Sequence, residues 1–219
     1  MTGINDSAPV PSGTDMHAAA VWAWRGNDEA VVDYVAGRIP ADRSSKIAIA
    51  GGRTPGPILE RLKTRALPWN RARFLPTDER LVHPTHPDSN YGALSRALDG
   101  TPALIEPLQD ADAKDDFDLV WLGMAEDGKI ASLFTTSDTE VKGGASIIRT
   151  RPVAGSSHVP YQRQTLSLDT ICRARDLILV IRGLQKRRVV EDALAGVSDL
   201  AVSRLFRATR MPVRIFWCR

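Results

Sequence analysis

The sequence predicts an α/β chain, built as a mostly parallel sheet with helices on both faces. Three observations carry this. KIAIA (Lys46–Ala50), FDLVWL (Phe117–Leu122) and LILVI (Leu177–Ile181) are short apolar runs of the kind buried under helices on both sides. Segments with apolar residues at helical spacing alternate with them, as in βαβ units. Turn and cap residues punctuate the joints.

Taken in order, Glu29–Ile39 reads as a helix, with Ala30, Val31, Tyr34, Val35 and Ile39 on one face. The strand at Lys46–Ala50 runs into Gly51-Gly52, after which Thr54 is an expected N-cap and Pro55 an expected first helical residue. Ile58, Leu59 and Leu62 give that helix its apolar face. Arg73–Leu75 reads as a strand that stops at Pro76 and the polar run Thr77-Asp78-Glu79-Arg80. Ser89 is placed to cap a helix over Asn90–Leu98. Phe117–Leu122 ends in Gly123 and a Glu126-Asp127-Gly128 turn, with a short helix expected over Lys129–Phe134. Gln164–Leu168 alternates as a strand, and Leu177–Ile181 breaks at Gly183 before a helix over Gln185–Leu194. A short helix near Leu200–Phe206 and a strand at Val213–Trp217 follow. Thr136–Arg163 fits the rhythm less well and reads as a small subdomain or an active-site flap.

The chain has 219 residues, between one and two domains by length alone. Residues 1–16 lack a basic or strongly apolar segment and read as a flexible tail, not a signal peptide. Residues 17–219 read as a single α/β domain. No apolar run approaches the roughly 18 residues of a membrane helix, so the expected compartment is the cytoplasm. Cys172 and Cys218 are far apart and fit neither a disulfide framework nor a zinc site. The 29 cations, 23 Arg and 6 Lys, exceed the 26 acids by three. They are scattered, with no basic stripe interleaved with aromatics, so a nucleic-acid partner is not expected.

In open α/β sheets, ligands bind outside the carboxyl ends of the strands. Four such ends carry chemistry here. Gly51-Gly52-Arg53-Thr54-Pro55 lets backbone approach an anion at a helix N-terminus, although it is neither a P-loop nor GxGxxG. Asp78-Glu79-Arg80, with His83 through Tyr91, packs acid, base and amide donors together. Two prolines interrupt the His83/His86 spacing, which disfavours a metal. The third end is Gly123–Lys129 and the fourth Gly183–Arg188. The last two place cations at a helix start, against the dipole, a conflict that a bound anion would reverse. Together the four suggest a pocket for a phosphorylated small molecule.

These blocks resemble the 6-phosphogluconolactonase family, within the sugar-phosphate isomerase and deaminase superfamily. The resemblance runs from Ala30 to Trp217 and rests on GGRTPGPILERL (Gly51–Leu62), TDERLV (Thr77–Val82), HPDSNYGALSRAL (His86–Leu98), FDLVWLGMAEDGKIASLF (Phe117–Phe134) and RQTLSLDTICRARDLILVIRG (Arg163–Gly183). It implies a Rossmann-like sheet with a small added β region. It also implies hydrolysis of 6-phosphoglucono-1,5-lactone to 6-phosphogluconate, a step of the oxidative pentose phosphate pathway, without metal or cofactor. By motif match, Gly51, Gly52, Arg53 and Thr54 cradle the phosphate and Lys186 adds a charge to it. Arg80 and Arg163 orient the sugar or its lactone, and Asp78 and Asn90 shape the pocket.

The family pattern GMGxDGH supplies a histidine base, but here Ala125 replaces its second Gly and Lys129 its His. An ordinary Lys, with pKa about 10.4, is protonated at neutral pH. Three assignments stay open. Lys129 is a base whose pKa is depressed, with Asp127 and Arg80 beside it. Alternatively, Asp78, His83 or His158 is the base and Lys129 holds the oxyanion. In the third, the site binds sugar phosphate with little turnover. Aldose–ketose isomerisation and amino-sugar deamination are the other enzymatic alternatives. Monomer and homodimer are equally compatible with the sequence.

Overall fold

The computed structural model describes residues 19–109, 116–133, 145–150 and 161–219. The expected tail lies outside them, as do His158 and most of the stretch read as a subdomain or flap. The chain runs β1 (Ala20–Trp22), α1 (Asp28–Ala36), β2 (Ser45–Ile49), α2 (Pro55–Lys63), β3 (Ala72–Pro76), β4 (Asp78–Arg80), α3 (Asn90–Ala97), β5 (Leu104–Ile105), β6 (Leu119–Leu122), β7 (Ile147–Thr150), β8 (Arg163–Leu166), α4 (Leu168–Cys172), β9 (Leu177–Arg182), α5 (Leu184–Leu194), α6 (Ala201–Ala208) and β10 (Val213–Cys218). No helix among the described residues is long and apolar enough to cross a membrane.

Seven strands form the main sheet in the order β1-β10-β9-β6-β2-β3-β5, and every pairing is parallel. The expected architecture is therefore present. Its strands sort side chains by alternation. Ile47, Ile49, Leu119, Trp121, Ile178 and Val180 face one apolar cluster with Val31, Val35, Ile58, Leu62 and Leu94 of α1, α2 and α3. Ala48, Val120, Leu122, Leu177, Leu179 and Ile181 face the other, with Ile171, Val190, Val202, Leu205 and Phe206 of α4, α5 and α6. Both faces are buried, which is why the central strand β6 and residues 177–181 of β9 are apolar at every position rather than at every second one.

A three-stranded antiparallel sheet, β4-β8-β7, stands beside the main one. This is the small added β region. The run Asp78–Arg80 had read as a polar loop, but it is a strand paired with Arg163–Thr165. The strand is three residues long and its partner lies far along the chain, so no local periodicity could reveal it. β1, β5, β7 and α4 were also missed, each five residues or shorter.

Two expectations fail locally. Lys129–Leu133 is not helical. Ile130 instead bridges Met124 and Leu133, and Ala131 adopts φ 46°, a left-handed conformation incompatible with a helix. Phe134 lies outside the described residues. Thr54 makes no side-chain cap, because its own backbone is already helical, at φ −73° and ψ −41°. Pro55 does open the helix as expected.

Candidate functional site

The chain steps outward from β2 to β3 and β5, then returns to β6 on the other side of β2. The carboxyl ends of β2 and β6 therefore flank a topological switch point, where loops diverge and leave a crevice. Strands β3, β2, β6 and β9 are consecutive neighbours in one parallel sheet. Their four chemistry-bearing ends consequently share one edge.

The centre of that edge is a buried polar cluster around Asp78, which is 5% exposed. Ser132 Oγ donates to Asp78 Oδ2 at 2.6 Å, and Arg163 Nη1 lies 3.7 Å from the same oxygen. Asn90 Nδ2 donates to the Asp78 backbone carbonyl at 2.6 Å. Arg80 Nη1 donates to the Asp88 carbonyl at 2.6 Å and to Asn90 Oδ1 at 3.1 Å. Arg80 and Arg163 face one another directly across the β4–β8 pair. Like charges in that position repel. Asp78 offsets part of the repulsion, and an anion bound there would offset more. The Nε atoms of both arginines are buried without a hydrogen-bond partner.

Lys129 joins the same cluster from the β6 loop. Burial lowers the pKa of its ammonium below the ordinary lysine value, and the Arg163 and Arg80 charges act in the same direction. Asp127 and Asp78 oppose the shift. Asp127 itself is exposed and forms the turn, its Oδ1 accepting from the Lys129 backbone N–H at 3.0 Å. Burial also lowers Arg163, with Arg80 adding to the effect and Asp78 opposing it.

The glycine loop sits next to this cluster. A Cβ on Gly51 would stand 2.2 Å from Asn90 Oδ1, so any larger residue displaces Asn90. Below the loop lies a cavity of about 40 Å³ lined by Gly51, Gly52, Pro55, Asn90 and Ala93, large enough for water. The N-termini of α2 and α5 carry no side-chain cap, whereas Asn27, Ser89 and Ser167 cap α1, α3 and α4. Unmet N–H groups therefore lie at the helix starts next to Gly52, Arg53 and Thr54 on one side and within the first turn that holds Lys186 on the other. Arg53 is exposed and Lys186 half-buried.

Other cationic and basic residues lie outside this cluster or are held by their own neighbours. Arg187 pairs with Glu191 and lies over Trp217. His83 Nδ1 is engaged by Thr85, and His86 Nδ1 accepts from the Asp88 N–H. Two residues within the quoted motifs had no role assigned from the sequence. Glu79 accepts from the Asn90 and Tyr91 N–H groups and from Ser89 Oγ, fixing the start of α3 with its charge at the favourable end. Ser132 was visible only as part of the ASLF run, and its contact spans 54 positions.

Residues 27–105 and 101–217 match the family described as glucosamine-6-phosphate isomerases/6-phosphogluconolactonase. The chain belongs to this family. A 6-phosphogluconolactonase of Pseudomonas putida is 32% identical over 209 residues, covering 86% of this chain and 85% of that protein. One from Helicobacter pylori is 30% identical over 193 residues, covering 79% and 83%. Among solved structures, the 6-phosphogluconolactonase of Trypanosoma brucei superposes with a TM-score of 0.76 at 25% identity, covering 90% of this chain and 95% of the other. That of Shewanella baltica gives 0.77 at 24% identity over 87% and 92%, a likeness of fold. Family membership gives the resemblance seen in the motifs a basis that covers most of the chain.

Proposed function

We propose that the chain hydrolyses 6-phosphoglucono-1,5-lactone to 6-phosphogluconate, the activity named for its relatives. The observation that carries the reading is the cluster of Arg80, Arg163 and Lys129 around Asp78, at the switch point of the sheet. In this reading the Gly51–Thr54 loop and Lys186 hold the phosphate, and Asn90 keeps that loop and Arg80 in register. Arg80 and Arg163 face the lactone and stabilise the oxyanion that forms as water adds to its carbonyl carbon.

The two Asp78 oxygens already serve Ser132, Arg163 and the Thr77 hydroxyl, so Asp78 anchors the cluster rather than acting as the base. His83 is tied to Thr85. Of the candidates among the described residues, Lys129 is the one this reading takes as the proton acceptor. Its neutral amine takes the proton of the attacking water, and the resulting ammonium returns it to the ring oxygen as the C–O bond breaks. Ring opening gives a hydroxyl and a carboxylic acid, and the acid loses its proton to solvent to become the carboxylate. The rest of the reading is a cytoplasmic protein acting as a monomer or homodimer, without cofactor, metal or nucleic acid.

Lactone loss measured with purified protein, against the spontaneous background, tests this. Rates equal to buffer alone would refute it. A second reading is favoured by Lys129 itself, because an ordinary lysine is already protonated at neutral pH, whereas an imidazole is largely free to accept a proton. That reading is a sugar-phosphate-binding homologue, for which 6-phosphogluconate binds but lactone is not consumed. Restored turnover in Lys129→His would assign the loss to this substitution.

A further inference from the structure

A second cavity opens at the same edge of the sheet, at the carboxyl ends of β1 and β10. Its volume is about 280 Å³, and Trp22, Ala23, Trp24, Gly26, Arg187 and Trp217 line it. Small-ligand pockets begin at roughly 300 Å³. Of the five tryptophans in the chain, three meet here. Trp24 is 97% exposed and Trp22 37%, an unusual outlay of indole surface to water.

The Trp217 side of the pocket is held in place, whereas Trp24 projects into solvent. A Cβ on Gly26 would lie 1.8 Å from the Trp217 carbonyl oxygen, so only glycine lets the Trp22–Trp24 segment close against β10. Trp217 Nε1 donates to the Gly183 carbonyl at 2.9 Å. The Arg187 guanidinium lies 4.4 Å from the Trp217 ring centroid and 5.3 Å from that of Trp22. Its Nε bonds Glu191 at 2.7 Å, one contact on a group with five N–H donors. Arg25 and Arg188 are exposed beside these residues in the sequence. The pocket thus sets the exposed Trp24 indole beside the Arg187 guanidinium, which covers the Trp217 and Trp22 rings and pairs with Glu191.

We infer that the Trp22–Trp24–Trp217–Arg187 pocket is a second binding site, for a flat heteroaromatic ring that carries phosphate. The ring stacks on the exposed Trp24 indole, and Arg187 takes the anion through its remaining N–H donors. Neither interaction depends on the lactonase reading, and the site shares no residue with that reading's machinery. Arg187 does follow Lys186 directly on α5, and Trp217 holds Gly183.

Adenosine monophosphate is the probe. Indole fluorescence is excited at the red edge of its band and followed during titration in the millimolar range. A saturable quench is expected, at least several-fold weaker with adenosine. Trp24→Ala should weaken binding roughly fivefold to a hundredfold, as the loss of one stacking partner does. Arg187→Gln should remove the preference for the phosphorylated probe. Lactone hydrolysis should be unchanged in Trp24→Ala. The proposal falls if no saturable quench appears, if Trp24→Ala binds as the parent does, or if adenosine and its monophosphate bind equally. It also falls if 6-phosphogluconate displaces the probe competitively, which would place the probe in the sugar-phosphate site. Because fluorescence reports binding, an inactive protein leaves the test intact.

Discussion

Asp78→Asn isolates the electrostatic role of the central carboxylate. Asparagine matches it in size, so packing is preserved and only the charge is removed. Asp78 and Arg163 are 5% and 7% exposed, and Arg80 stands directly across the strand pair. Leaving one member of a buried ion pair uncompensated costs about 3–5 kcal/mol. The 3.7 Å separation from Arg163 and an amide oxygen still able to accept from Ser132 favour the lower end. Taking about 3 kcal/mol, and roughly 2–4 °C per kcal/mol for a chain of this size, Tm should fall by about 6–12 °C. The same change leaves the cations less compensated, so added anion should stabilise the variant more than the parent. Thermal unfolding is measured with sulfate or 6-phosphogluconate, against chloride at equal ionic strength. A fall below about 2 °C, or equal stabilisation of both proteins by sulfate, would refute the view that Asp78 neutralises this cluster.

Gly51→Ala should push Asn90 aside and break its bond to the Asp78 carbonyl, costing about 1–3 kcal/mol and raising KM for the lactone. Steady-state kinetics on folded protein would show it, and an unchanged KM would contradict the placement of that loop. Glu79→Gln should lower stability by about 2–3 kcal/mol, because three donors at the start of α3 lose a charged acceptor. Urea titration measures this, and a midpoint equal to the parent's would remove Glu79 from the scaffold. The folded-state pKa of Lys129 is lowered, so the unfolded chain binds more protons between that value and about 10.4. Stability contributed by Lys129 should therefore rise with pH through that window and level off above it. Activity should rise with pH as the amine deprotonates. Lys129→Met should flatten the stability rise and abolish turnover without lowering Tm at neutral pH. A full lactonase rate in Lys129→Met would exclude Lys129 as the base.

Much of the site was legible because its residues cluster at strand ends. Gly51-Gly52 after an apolar run, and Ser89 before Asn90, follow from backbone freedom and capping, both local properties. The Asp78–Arg80 strand was not legible, because its hydrogen bonds go to Arg163–Thr165. Lys129–Leu133 misread as a helix for a related reason. Its apolar spacing suits a helix, but Ile130 bridges two neighbours and Ser132 reaches Asp78, with Ala131 left-handed between them. Thr54 misread because capping preference is statistical, and its own backbone had already joined the turn.

By itself the sequence determined the parallel sheet, its central strands with the main helices between them, and the edge where chemistry collects. Strand burial and helix periodicity are written in neighbouring residues, and parallel connection places every strand end on one side. Only the tertiary structure decided how the charges divide their work. It set Arg80 against Arg163, closed Ser132 onto Asp78, retained Lys129 beside both arginines and drew three tryptophans around Arg187. Those relations depend on distance in space and on loss of water, and neither is a property of position along a chain.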